Sequence, residues 1–146
     1  FEMLDRAEDW SGFEAAVDAF DTPSQNMVYA DVDGNIGYAL SGRLPVRSSG
    51  DGTLPSSGGF GPAWVEGGPR PPSPRVLNPE AGLIASSNNE ISRRSDVMIT
   101  RDWAAPYRAA RLTEVLGPAK GLSLDAMGAA RITSDVPESA LREVLR

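Results

Sequence analysis

Between Ser48 and Pro79 the chain carries seven glycines and seven prolines in 32 residues. Nothing else in the sequence restricts the fold so strongly. Glycine spends conformational entropy in any regular element, and proline removes a backbone donor, so this stretch sustains neither a helix nor a central strand. It reads as one long loop. Loops of that length inside a compact domain line sites or stay disordered. The embedded Phe60, Trp64 and Val65 favour a loop that packs down on something. Regular structure is therefore confined to the two flanks.

In the first flank, Trp10, Phe13, Val17 and Phe20 recur at three- and four-residue steps, which places them on one helical face. Ser11-Gly12-Phe13-Glu14 has the form of a capping box, and Thr22-Pro23 stops the helix. Two short β-rich runs, 26–32 and 35–40, then flank Asp33-Gly34. Asp-Gly between such runs predicts a hairpin closed by a type I′ turn. In the second flank, Gly82–Ser87 reads as a short buried strand ending in the polar pair Asn88-Asn89. Asp102 can cap a helix with Pro106 in its first turn. Tyr107, Ala110, Leu112, Val115 and Leu116 supply its apolar stripe, and Gly117-Pro118 ends it. Shorter helices are expected at Leu124–Ile132 and Pro137–Arg146, and no repeat is evident. The class is α+β: antiparallel strands with flanking helices and a long Gly/Pro loop.

A chain of 146 residues suits one domain, and its 40% hydrophobic and 23% charged content is that of a globular protein. The net charge of −6 argues against a nucleic-acid partner, because phosphates want a basic face. Arg93-Arg94 is the sole adjacent basic pair, and no apolar run approaches a membrane span or a signal peptide. There is no cysteine and no histidine. Thiol chemistry, a Ser–His–Asp triad and a histidine base are excluded within these residues. Catalysis here must rest on carboxylates, an amine or preorganised polar groups. Phe1 in place of an initiator Met, and a helix pattern at Pro137–Arg146 without a C-cap glycine, suggest a fragment of something longer.

Four ordered segments resemble the β-chain of the penicillin amidase (penicillin acylase) family. They are 23–31 with Asp33-Gly34-Asn35-Ile36-Gly37-Tyr38, then Gly42-Arg43-Leu44-Pro45-Val46-Arg47, then 78–85 through Asn88-Asn89, and Tyr107-Arg108-Ala109-Ala110-Arg111-Leu112. Each is weak alone, but the ordered set is specific. The resemblance implies that residues 1–146 are one partial domain of an N-terminal-nucleophile hydrolase with an αββα sandwich. It implies a precursor that cleaves itself to expose a serine whose own α-amine is the base. An α-amine titrates near 7.7–8.0, so it can take a proton at neutral pH without an imidazole. Internal serines such as Ser41, Ser86 and Ser95 have neither an α-amine nor a histidine, so this chain alone should be catalytically silent.

What the resemblance gives this chain is part of a site. Asn88 matches the family's oxyanion-hole asparagine. A preorganised side-chain N–H facing the charge that develops on a carbonyl oxygen is worth roughly 3–4 kcal/mol. Read without the family, Asn88-Asn89 is a turn, and Asn89 is the more structural of the two. Arg111 matches an arginine that orients polar groups near the nucleophile; read alone, it would pair with Glu114 on the helix face, and Arg108 lies one turn earlier. Some family members hold a structural calcium, for which Gly52, beside Asp51, would lend a carbonyl and Asp102 a carboxylate. Asp31 and Asp33 are better explained as turn chemistry. No cofactor is required. The implied partners are an N-acyl small molecule (a β-lactam such as penicillin G, a glutaryl-cephalosporin or an acyl-homoserine lactone) and the rest of the acylase precursor. The implied location is the bacterial periplasm or the exterior. Two alternatives account for the same pattern: a non-catalytic β-rich binding module, or a degenerate acylase relative kept for structure.

Overall fold

The aromatic stripe of the first flank does form a helix, and its cap explains where it begins. In the computed structural model, which describes residues 1–55, 65, 71–91, 99–117 and 121–130, α1 spans Glu2–Asp5 and α2 spans Trp10–Asp18. The cap of α2 is Asp9, whose carboxylate accepts the Gly12 amide at 2.7 Å. The expected Ser11–Glu14 box therefore lies inside the helix. Asp9 satisfies a first-turn amide and leaves Ser11 without a capping task. The helix ends at Asp18, before the Thr22-Pro23 pair, and Phe20 lies beyond it with its ring edge-on to Phe1 at 5.4 Å.

Strands β1 (Asn26–Ala30) and β2 (Ile36–Leu40) pair antiparallel, with Tyr29 opposite Gly37 and Met27 opposite Ala39. Side chains alternate faces along a strand, so these four residues share one face. α2 covers it: Phe13, Val17, Tyr29 and Ala39 form the buried cluster, with Leu4, Ala7, Trp10 and Met27 packed around it. Burying Phe13 and Val17 contributes about 1.5–3 kcal/mol each. The rings of Trp10, Phe13 and Tyr29 meet at 5.1–5.4 Å between centroids. The fit depends on Gly37, because a Cβ there would lie 2.2 Å from a Trp10 ring carbon.

The hairpin turn is not type I′. Among the described residues positive φ outside glycine occurs only at Asn78 and Asn88, so Asp33 does not meet the I′ requirement. Instead Gly34 N–H reaches Asp31 C=O (3.3 Å) and Asp31 N–H reaches Asn35 C=O (3.1 Å). Gly34 itself sits at φ +86°. This is a three-residue loop, a turn over 31–34 closed by a left-handed glycine. The Asp31 side chain fixes it by accepting from the Asn35 amide (2.8 Å), Asn35 Nδ2 (2.7 Å) and the Tyr29 hydroxyl (2.8 Å). Asp31 thus serves the turn, as its place beside Asp33-Gly34 predicts.

A third strand, β3 (Arg75–Leu77), adds antiparallel to β2 and completes the sheet in the order β1-β2-β3. It arises within the stretch expected to be loop throughout. Proline is tolerated just before an edge strand, where its missing donor is not needed, and Pro74 contributes its carbonyl to Leu40 N–H at 3.0 Å. Arg75 pairs from β3 with Glu14 (3.4 Å) and with Asp18 on α2. Val65 is exposed rather than packed down, although its N–H is tied to Val46 C=O at 2.8 Å. Phe60 and Trp64 lie outside the described residues.

The expected strand at Gly82–Ser87 does not form. Residues 83–86 are half-buried without a ladder, since no described strand lies beside them. α3 spans Tyr107–Leu116 and α4 spans Leu124–Ala130, and the two helices pack together. Residues 131–146, with the expected last helix, lie outside the described residues. By its internal contacts the chain forms two compact units, Phe1–Ile84 with Ser92–Asp102 and Ala85–Ile91 with Trp103–Arg146. The sheet and α2 belong to the first; Asn88 and α3 belong to the second.

Candidate active site

Asn88 stands in an exposed turn with φ +61°. Asparagine is among the few non-glycine residues that adopt this left-handed conformation readily. Three hydrogen bonds hold the turn from the side of α3 and the segment before it. The Ala104 N–H donates to Asn88 C=O at 2.9 Å. Arg108 Nη2 donates to Ser87 C=O at 2.9 Å and to Asn88 Oδ1 at 2.8 Å. A guanidinium has donors only, so it accepts nothing and can face only the oxygen of the Asn88 amide. The amide is thereby oriented with its NH2 turned away from Arg108, and no described residue accepts from that NH2. Chemically, this is an oriented N–H donor at the protein surface, open to solvent or to a ligand.

Of the two arginines on α3, the structure brings Arg108 to Asn88. Arg111 instead forms an ion pair with Glu114 at 3.1 Å, the helix-face partner expected of it on spacing alone. Both side chains of that pair are substantially exposed, at 32% and 58%, so its net worth is about 0–1 kcal/mol. The helix start decides which arginine reaches the turn. Asp102 does not cap α3: the helix begins at Tyr107 with Pro106 at the N-cap position and no side-chain cap. A proline disfavours helical geometry in the residue before it, which blocks extension back through Ala105. The sequence signal for Arg108 was present, in that two arginines three apart share nearly one helix face. What the sequence lacked was the position of the first turn.

Gly52 and Asp102 line one cavity of about 360 Å³, together with Asp51, Thr53, Arg47 and Arg101. The Asp51 carboxylate is already engaged. Thr53 donates to Oδ1 through its hydroxyl (2.6 Å) and its amide (3.0 Å), and Arg101 donates to Oδ2 at 3.1 Å. Those bonds, the Thr53 hydroxyl foremost, hold the carboxyl well below the usual carboxylate range. The Arg47 guanidinium lies against Gly52, where a Cβ would come within 2.6 Å of it. Calcium takes about six to eight oxygens, and two guanidinium groups beside it oppose a divalent cation. Among the described residues no group of three acidic, histidine or cysteine side chains gathers to hold a metal. The described residues do not by themselves make a calcium site.

Ser41 is 1% exposed and its hydroxyl is exchanged with the backbone of Gln25. Ser86 is half-buried, and Ser95 lies outside the described residues. In the first unit an apolar cavity of about 740 Å³ is lined by Phe1, Leu4, Phe13, Phe20, Met27 and Tyr29 among others. No helix among the described residues is long and apolar enough to cross a membrane.

Comparison with known proteins gives a family match over the whole chain: the model described as penicillin amidase covers residues 1–146. The penicillin acylase 2 proenzyme of Pseudomonas sp. (strain SE83) is 36% identical over 106 residues, which is 68% of this chain and 13% of that protein. The acyl-homoserine lactone acylase QuiP of Pseudomonas syringae pv. tomato is 33% identical over 127 residues, 82% of this chain and 15% of that protein. The penicillin G acylase of Escherichia coli is 46% identical over 65 residues, 44% of this chain and 8% of that protein. The chain thus spans only 8–15% of the length of these relatives.

Proposed function

Since the chain belongs to the penicillin amidase family, we propose that it contributes the oxyanion-binding part of an amidohydrolase that cleaves N-acyl amides by acyl transfer. Asn88 is the donor. A serine hydroxyl attacks the substrate carbonyl carbon, its proton passing to the serine's own α-amine. The carbonyl oxygen takes up the electron pair and the negative charge, which the Asn88 Nδ2–H stabilises. The C–N bond then breaks, the amine leaves with the proton, and water hydrolyses the acyl-enzyme to the free acid. We place that serine in the remainder of the precursor, as the family resemblance implies. The 146 residues form one partial domain of an N-terminal-nucleophile αββα sandwich, completed by the remainder of the precursor. The orienting role that the resemblance gives to Arg111 falls to Arg108, which reaches the Asn88 amide. Substrates are penicillin-type β-lactams or acyl-homoserine lactones, following the acylases it resembles, and the location is the bacterial periplasm or the exterior.

The observation that carries this reading is the Asn88 amide itself, its oxygen held by Arg108 and its NH2 open. The test uses the full-length protein and a chromogenic phenylacetyl or fatty-acyl amide. Asn88→Ala should lower kcat by about a hundredfold or more, the loss seen when one oxyanion donor is removed. Turnover equal to wild type would end the assignment. A second reading, a non-catalytic binding module, draws on the apolar cavity of the first unit. It expects the full-length protein to bind N-acyl compounds without hydrolysing them.

A further inference from the structure

The turn that carries Asn88 is held from two sides, and only one of them is Arg108. On the other side the Asn89 side chain spans the turn. Its Oδ1 accepts the Ser87 N–H at 3.0 Å, and its Nδ2 donates to Glu90 C=O at 3.1 Å. A single amide thus connects the residue before Asn88 to the residue after Asn89. Ser87 is buried, 9% exposed, so its N–H has little access to water if that bond is lost. Ser87 is fully engaged: the N–H goes to Asn89 and the C=O to Arg108.

This bracket matters because Asn88 sits at φ +61°, a conformation that asparagine tolerates better than most residues but that neighbouring bonds must still select over the ordinary negative-φ regions. Arg108 sets which face of the Asn88 amide points outward. It also ties the backbone carbonyl of Ser87, as the Ala104 N–H ties that of Asn88, but neither reaches the Ser87 N–H or the Glu90 C=O. A catalytic donor has to be held within about 0.5 Å and 10–20° of its productive geometry. The Asn89 side chain adds the remaining backbone ties, on the Ser87 N–H and the Glu90 C=O.

We infer that Asn89 is a positioning residue for the Asn88 donor, acting through the Ser87 N–H and Glu90 C=O to hold the turn in its left-handed form. The inference rests on the oxyanion reading of Asn88. Asn89 touches no substrate in this scheme, so its loss acts on kcat and leaves KM in place.

The experiment is a double-mutant cycle in the full-length protein, with kcat and KM measured separately on the same chromogenic amide. Asn89→Ala should lower kcat about tenfold with KM within twofold of wild type. Asn89→Asp keeps the acceptor for Ser87 N–H but loses the donor to Glu90 C=O, so its kcat should fall between those of Asn89→Ala and wild type. On an Asn88→Ala background, Asn89→Ala should cost nothing further, because the donor it positions is already gone. An Asn89→Ala loss of the same size on both backgrounds would overturn the inference, since the residue would then act independently of Asn88. An Asn89→Ala enzyme with wild-type kcat would do so too. Should Asn89→Ala fail to fold, Asn89→Asp decides: a kcat as low as that of Asn88→Ala overturns the inference. A wild-type kcat in Asn88→Ala itself would instead remove the oxyanion reading, a distinguishable outcome.

Discussion

At the scale of single residues, hydrogen-bond chemistry does more than charge. Asn88 is useful because Arg108 has donors only, and replacing Arg108 should show it. Arg108→Ala leaves the Asn88 amide free to turn over, and kcat should fall about tenfold or more; Arg111→Ala, which removes a surface pair, should leave kcat within threefold. Steady-state kinetics on the two variants decide which arginine serves the site. Asparagine at 88 was legible in the sequence as a candidate. Its partner was not, because the choice between Arg108 and Arg111 depends on a helix start set by Pro106. The hairpin carries a second such group. Bonds from Asn35, foremost among several, lower the Asp31 pKa, whereas burial and the Asp31 contact push the Tyr29 hydroxyl up to about 12. A depressed carboxyl contributes stability that is present above its unfolded value of about 3.9 and lost as pH falls through its folded value. The raised Tyr29 contributes stability that is present below about 10 and lost as pH climbs toward 12. Thermal melts should therefore show the hairpin weakening below about pH 4 and above about pH 10. In Asp31→Asn the acidic decline should be shallower.

At the scale of elements, the sequence pattern located more than it specified. The stripe Trp10–Val17 placed α2, and Asp33-Gly34 placed the hairpin, yet the helix cap and the turn type differ from those the pattern predicts. Two polar residues, Asp9 and Ser11, compete for the cap, and only the folded chain shows which reaches an amide. Asp9→Ala should cost about 1 kcal/mol, measured by urea unfolding. The Asp-Gly pair serves two turn families, distinguished by the sign of φ at Asp33, which the sequence does not display. β3 was hidden because its proline-rich surroundings argue against a central strand, and it is an edge strand. Gly37 is the clearest structural dependence. A methyl group there meets the Trp10 ring, so Gly37→Ala should destabilise by about 1–3 kcal/mol. Trimming the ring as well, in Gly37→Ala with Trp10→Leu, should cost less than the sum of the two single changes.

At the scale of the whole molecule, the family was readable from four ordered segments while the architecture was only partly so. The model match covers residues 1–146, but the relatives are many times longer. An expected strand at 82–87 lacks a neighbour among the described residues, and a strand without a partner is not a strand. These 146 residues expressed alone should hydrolyse no N-acyl substrate, and hydrolysis above the buffer rate would refute the placement of the nucleophile elsewhere. The tie between Arg108 and Asn88 has one more consequence, in time rather than in space. It joins residues 20 apart along the chain, so the amide has no assigned orientation until that loop has closed. Turnover regained during refolding would then clock the arrival of α3 at the turn: a latecomer signal that cannot precede that closure, whatever the sheet and α2 have already done.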